Sequence, residues 1–169
     1  MNHPPRFRDL VTPIDVNQKC SFISSSHPVL IHVMSYNVLA DQLATPDFHP
    51  LQTSQELDFA FRAPRIIEEI RQSGASLVFL QELDRIDDFY DEKLKSLGFS
   101  VVYGQRGSQD GKKAKHTIAI AYQSSEWLLI DQELIDLGEV KKWFLNNDAF
   151  ELGANRNAML CILQHRESN

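Results

Sequence analysis

Between Leu77 and Asp84 the chain reads Leu-Val-Phe-Leu-Gln-Glu-Leu-Asp, an apolar run that turns acidic within two residues. A short, β-rich run bounded by polar residues specifies a buried strand. A second run of this kind lies upstream, Ile31-His32-Val33-Met34-Ser35-Tyr36-Asn37. Polar residues at the carboxyl ends of strands face the crevice where open α/β sheets bind ligands. If the two strands are neighbours, Asn37 and Glu82 enter one polar pocket, and an amide oxygen beside a carboxylate begins a hard-cation site. The alternative is that Glu82 caps the helix that follows, a position acidic residues favour. Taken as a lone carboxylate, Glu82 suits the cap better.

The rest of the chain alternates in the same way. Residues 1–28 carry four prolines and a Ser24-Ser25-Ser26 run, and read as a flexible N-terminal extension to a domain spanning 29–169. Residues 41–55 are loop-like, with Pro46 and Pro50 preventing a continuous helix. Ser54 is a candidate cap for one amphipathic helix running to about Gln72, apolar at Leu57, Phe59, Phe61, Ile66, Ile67 and Ile70 and locally distorted at Pro64. Gly74 ends it. Asp87 to Leu97 reads as a helix, acidic at its start and basic near its end, with Gly98 as C-cap.

Phe99 to Tyr103 is a strand, and 106–115 a polar loop. Thr117–Tyr122 and Trp127–Ile130 read as a hairpin joined by Gln-Ser-Ser-Glu, and Asn157–Leu163 as a final strand. Alternating strands and helices followed by consecutive strands predict an α/β domain whose sheet becomes antiparallel.

Composition narrows the functional classes. A chain of 169 residues, 43% apolar, fills one core. A net charge of −6 gives no footprint for unaided duplex binding, although a bound divalent cation supplies the positive charge a phosphate requires. It also argues against anionic membranes. Cys20 and Cys161 match no metal or disulfide spacing, and no run is long enough to span a bilayer. The expectation is an intracellular protein, cytoplasmic or nuclear and not secreted.

Taken from the residues alone, the chemistry available is metal-assisted phosphoryl transfer or little else. Glu82 is the candidate ligand and Asn37 the candidate partner for a phosphate or a water. Magnesium takes few protein carboxylates and keeps several waters, so a sparse site is no obstacle. Asp84, Asp87 and Asp88 suit a solvated helix start. Arg106, near Tyr103, reaches a phosphate or stacks a base, or is simply solvated. His116 opens a predicted strand and could face the pocket, whereas His32 alternates with apolar neighbours and packs in the sheet. No Ser-His-Asp or Cys-His set and no phosphate-cradling glycine loop can be assembled.

Met34-Ser35-Tyr36-Asn37-Val38-Leu39-Ala40 resembles the opening motif of the endonuclease/exonuclease/phosphatase superfamily, in its carbon-catabolite-repressor-type deadenylase branch. Phe59-Ala60-Phe61-Arg62 through Ile66-Ile67-Glu68-Glu69-Ile70 is similar to that branch's aromatic-x-aromatic-Arg, Ile-x-x-Glu-Ile helix. Leu80-Gln81-Glu82-Leu83 resembles its metal-binding Leu-Gln-Glu-Val, and Tyr90, Leu94, Leu97-Gly98-Phe99, Tyr103 and Arg106 follow in order. Where the branch has Asp-Gly before Cys-Ala-Ile, this chain has His116-Thr117 before Ile118-Ala119-Ile120.

The resemblance covers residues 30–164 and implies the N-terminal half of a four-layer α/β sandwich, a mixed sheet with helices on its outer face. It implies that Glu82 binds Mg²⁺, with Mn²⁺ as the alternative. It makes Asn37 a catalytic residue beside the metal and the phosphate, and Tyr103, Arg106 and Asn157 substrate contacts. Arg62 is the helix arginine, with a structural role. The implied substrate is RNA, poly(A) or another 3′ end. The family's Asp-x-Asn, further aspartates and late histidine have no counterpart in these residues. The expectation is therefore little or no nuclease activity, and an incomplete sheet that a protein partner could cover. A non-catalytic RNA- or protein-binding role is the second reading, and a non-RNA phosphate ester the third.

Overall fold

A computed structural model describes residues 30–104, 117–136 and 157–166. From Ile31 onward the described elements belong to one unit. The order is β1 (Val33–Asn37), a 3₁₀ turn (Asp41–Leu43), α1 (Ser54–Leu57), α2 (Phe59–Ser73), β2 (Leu77–Leu83), a π turn (Ile86–Tyr90), α3 (Asp91–Ser96), β3 (Phe99–Tyr103), β4 (Thr117–Gln123), β5 (Trp127–Asp136) and β6 (Asn157–His165).

Four strands form a mixed sheet in the order β1-β2-β4-β3, and β5 pairs with β6 apart from it. The first pair is parallel and sets Asn37 opposite Gln81, while β4 runs antiparallel to both its neighbours. This is the α/β arrangement expected of the sequence, changing from parallel to antiparallel at β4.

The helix expected from Ser54 to Gln72 is two helices. Thr53, not Ser54, caps the first, in a capping box with Glu56. The chain then extends at Asp58 (φ −63, ψ 126), whose Oδ1 accepts the Ala60 N–H at 3.1 Å and starts α2. Threonine and aspartate side chains compete with the helical backbone for such donors, which is why the break falls there. Beyond it α2 runs through Pro64 and buries Ala63, Ile66 and Ile70, spaced by three and four.

Gly74 (φ 61) and Gly98 (φ 85) close α2 and α3 in the left-handed region as expected. A Cβ at Gly74 would meet nothing within 4 Å, whereas at Gly98 it would lie 2.9 Å from Gln123 Oε1. Gly74→Ala therefore measures the backbone cost alone, about 1 kcal/mol, and Gly98→Ala exceeds it because Gln123 must also move. Urea unfolding of the two variants checks this; equal losses would rule out the Gln123 contribution.

Strand alternation divides the core. Val78, Leu80, Phe99, Ala119 and Ala121 face a cluster with Ile66 and Ile70 of α2 and with Leu83, Ile86, Tyr90 and Leu94. Their neighbours Leu77, Val102 and Tyr122 face the opposite side, where Trp127, Leu129, Met159, Cys161 and Leu163 pack on them. The order is helices, sheet, two-stranded ribbon.

The ribbon corrects a second expectation. Thr117–Tyr122 and Trp127–Ile130 are not paired as a hairpin; β5 pairs with β6 from Trp127↔His165 to Asp136↔Asn157. The turn after Gln123 carries the chain from the sheet to the layer above it. Trp127 is anchored there, its indole N–H donating to the buried Ser76 hydroxyl at 3.1 Å. On the ribbon's outer face Leu128, Leu160 and Ile162 are about half exposed.

Candidate functional site

The corner expected from the two strand ends exists. Asn37 Nδ2 donates to Glu82 Oε1 at 2.7 Å, between residues 45 apart in sequence. Asn37 Oδ1 accepts the Leu39 N–H at 2.9 Å, and Glu82 Oε2 lies 3.4 Å from the Ala40 N–H. The Leu39 bond turns the chain sharply as it leaves β1, with Leu39 at φ 56. It also fixes the amide so that its NH₂ faces Glu82.

Glu82 does not cap a helix; it lies within β2, at a bulge. Between Leu80 and Leu83 the strand advances three residues while β4 advances two, from Ala119 to Thr117. Glu82 takes up the extra residue at φ 61, a conformation L residues other than Gly, Asn and Asp seldom occupy. Bulges re-aim side chains next to functional sites. Without the bulge, β2 alternation would put Glu82 on the face of Val78 and Leu80, in the core.

The loop after β1 is held from three directions. Arg62, on α2, donates from Nη1 to the Val38 and Leu39 carbonyls at 3.1 and 2.9 Å, and from Nε to the Leu57 carbonyl at 3.2 Å. Its buried Nη2 faces Asp41 Oδ1 at 3.6 Å. Asp41 also meets Arg85 Nη1 at 3.3 Å, and Asp84 accepts the Gln42 N–H at 3.1 Å. Asp84 is thus not a solvated helix start but a tie between the two strand-end loops. Its position two residues beyond Glu82 was the only sequence signal for that. Arg62 fills the structural role expected of it. Asp88 does pair locally, with Arg85.

Tyr36, preceding Asn37, points the other way and hydrogen-bonds Glu69 of α2. Burial first, and the Glu69 carboxylate second, push its hydroxyl well above the ordinary phenol range. It is a neutral packing group. Tyr103, at the end of β3, packs in the same helix-side cluster and donates its hydroxyl to Asp91 Oδ1 at 3.1 Å. Asn157 opens β6, opposite Asp136. Arg106 and His116 lie outside the described residues. Of the sequence candidates, the structure brings Asn37 and Glu82 together.

No group of three or more His, Cys, Asp or Glu side chains stands ready for a metal among the described residues. The corner nevertheless fits one class of ion. A carboxylate has about four acceptor positions, and those of Glu82 are only partly filled by Asn37 and Ala40. Magnesium is commonly held by one or two carboxylates with waters completing its shell.

No protein-family model matches the chain. Among curated proteins it is 30% identical over 116 residues to the CCR4-Not complex 3′-5′-exoribonuclease subunit Ccr4 of Aspergillus clavatus, a match covering 64% of this chain and 17% of that one. It is 29% identical over 112 residues to carbon catabolite repressor protein 4 homolog 4 of Arabidopsis thaliana, covering 66% and 26%. The chain thus spans roughly a sixth to a quarter of the length of these relatives. Among solved structures it matches ANGEL2, a 2′,3′-cyclic phosphatase, with TM-score 0.63 and 26% identity over 80% of this chain and 37% of that one. The human Nocturnin catalytic domain matches in fold, with TM-score 0.60 and 22% identity over 82% and 45%.

These structures share with the chain an α/β fold of the endonuclease/exonuclease/phosphatase type, of which the described residues form a part. Over the part they cover, these matches support a likeness to that superfamily and, within it, to the CCR4-type deadenylase branch.

Proposed function

We propose that this chain carries one side of a divalent-cation phosphodiesterase site that acts on RNA 3′ ends. The observation that carries the reading is the 2.7 Å contact between Asn37 and a Glu82 carboxylate held out of the core by its bulge. Glu82 holds Mg²⁺ or Mn²⁺, and Asn37 orients a phosphate or a water beside it. The bound cation neutralises phosphate charge, which a chain of net charge −6 does not otherwise supply. Tyr103, Arg106 and Asn157 are assigned to substrate contact in the same proposal, and the setting is the cytoplasm or nucleus. Support comes from the relatives: one is named a 3′-5′-exoribonuclease subunit, and another was solved with adenosine-2′,3′-vanadate. Titration of the chain with Mn²⁺, followed by water-proton relaxation, tests the metal half of this reading.

The corner supplies a ligand and an orienting amide, and in this proposal no described residue is assigned as general base. General acid–base help is worth about 10²–10⁴-fold. The 169-residue chain is therefore expected to shorten a 5′-labelled oligo(A) in Mg²⁺ at least about 100-fold more slowly than a full-length relative. Equal rates on a denaturing gel would sink this expectation.

The lack of a three-ligand cluster among the described residues also favours a second reading, in which the fold binds RNA or protein without turning it over. Poly(A) retention that survives both chelation and Glu82→Ala would support it over the first.

A further inference from the structure

A cleft of about 550 Å³ opens beside the Asn37–Glu82 corner, between the loop after β1 and the junction of α1 with α2. Asp41, whose neighbour Ala40 contacts Glu82, lines it together with Asp58 and Ala60. Phe59 and Arg85 line it too. The Arg85 guanidinium lies over the Phe59 ring, 4.6 Å from its centroid, and is held at its edges by Asp88 at 2.5 Å and Asp41 at 3.3 Å. Those partners fix the group by its rim while its side chain stays 41% exposed.

A guanidinium held in this way is a stacking platform. Its charge is already matched by Asp41 and Asp88, and Asp58 adds a further negative charge to the cleft, so a phosphate gains nothing by entering. A neutral planar group with N–H donors gains twice, by stacking on Arg85 and by donating to carboxylate. Asp58 uses Oδ1 on the Ala60 N–H and keeps Oδ2 for such a donor. The volume lies in the range of small-ligand pockets.

We propose that this cleft is a nucleobase subsite, which stacks a base on Arg85 and reads its exocyclic amino group through Asp41 or Asp58, with the sugar-phosphate left outside. The inference rests on the reading that the chain acts on RNA. It adds a base contact made by the N-terminal loops, next to the corner and separate from the carboxylate that holds the cation.

The experiment follows amide shifts of the ¹⁵N-labelled full chain in chelator, so that no cation contributes. The probes are adenosine, purine riboside (which lacks the 6-amino group) and ribose 5-phosphate. Adenosine is expected to shift the amides of 41–44 and 54–60 saturably. Purine riboside binds about tenfold more weakly, having lost a hydrogen bond to a charged acceptor. Ribose 5-phosphate leaves those amides in place. Ala60→Trp, at an exposed position on the wall, blocks the cleft and abolishes the adenosine shifts while distant amides stay unchanged. Arg85→Lys keeps the charge, loses the plane and weakens adenosine several-fold.

Adenosine shifts that persist in Ala60→Trp, that fall elsewhere, or that ribose 5-phosphate reproduces would overturn the proposal. The two readings separate cleanly. A chain that binds Mn²⁺ through Glu82 and no adenosine keeps the metal site and loses the subsite, and adenosine binding without Mn²⁺ binding does the reverse.

Discussion

If Glu82 holds the cation as proposed, Glu82→Gln is expected to lower Mn²⁺ affinity about a hundredfold or more and Asn37→Ala about tenfold, because neighbours of a metal ligand typically contribute 10–100-fold and the ligand itself at least as much. Glutamine keeps one oxygen for the Asn37 amide and loses the acceptor for the Ala40 N–H, a long contact of 3.4 Å, so the folded state should lose little. Isothermal titration of Mn²⁺ into the wild type and the two variants measures both numbers. Unchanged affinity in Glu82→Gln means the cation binds somewhere else. A companion pair isolates the backbone: at φ 61 Glu82→Gly should be more stable than Glu82→Ala by about 1–2 kcal/mol, the usual left-handed penalty for a residue with a Cβ. The reverse order would mean the bulge relaxes when its side chain goes.

Arg62→Ala has the largest expected effect on stability. The side chain is 13% exposed and joins α2 to the carbonyls of Val38 and Leu39, to that of Leu57 and to Asp41. Removing it leaves three carbonyls to find new donors and takes one of Asp41's two arginine partners. Losing three hydrogen bonds from a charged donor costs about 3–5 kcal/mol, equivalent to roughly 6–20 °C in Tm for a chain of this size, and the partly exposed ion pair adds little. Arg62→Lys recovers little, since an ammonium cannot span that fork. In a double-mutant cycle with Asp41→Asn, the part of the loss owed to the ion pair appears as coupling. A loss below about 1 kcal/mol by thermal unfolding would show that the loop after β1 needs no such tether.

Much of the scaffold could be read from local signals. The apolar runs at 33–37, 77–83 and 99–103 are strands, Gly74 and Gly98 stop the helices, and two polar strand ends meet as Asn37 and Glu82. What escaped the sequence depended on competition or distance. Asp58 offered a carboxylate to the backbone inside what looks like one apolar periodicity, and the helix broke there. Gln-Ser-Ser-Glu resembles a hairpin turn, yet β5 finds its partner about thirty residues further on, because Trp127 is drawn to Ser76 and the second face of the sheet. The left-handed backbone of Glu82 left no trace, since nothing in Leu-Gln-Glu-Leu marks a bulge. Asp84 looked like solvated charge, and only the return of the β1 loop gives it something to hold.

The parallel register of β1 and β2 also has a kinetic consequence. Asn37 and Glu82 meet only once the chain has brought together residues 45 apart in sequence. Such non-local pairing is a slow event on a folding pathway. A cation cannot nucleate it, because the unfolded chain presents only half of the corner at a time. On the proposed site, Mn²⁺ should therefore slow unfolding and leave the refolding rate unchanged, acting as a latch that closes after the chain has already found its shape.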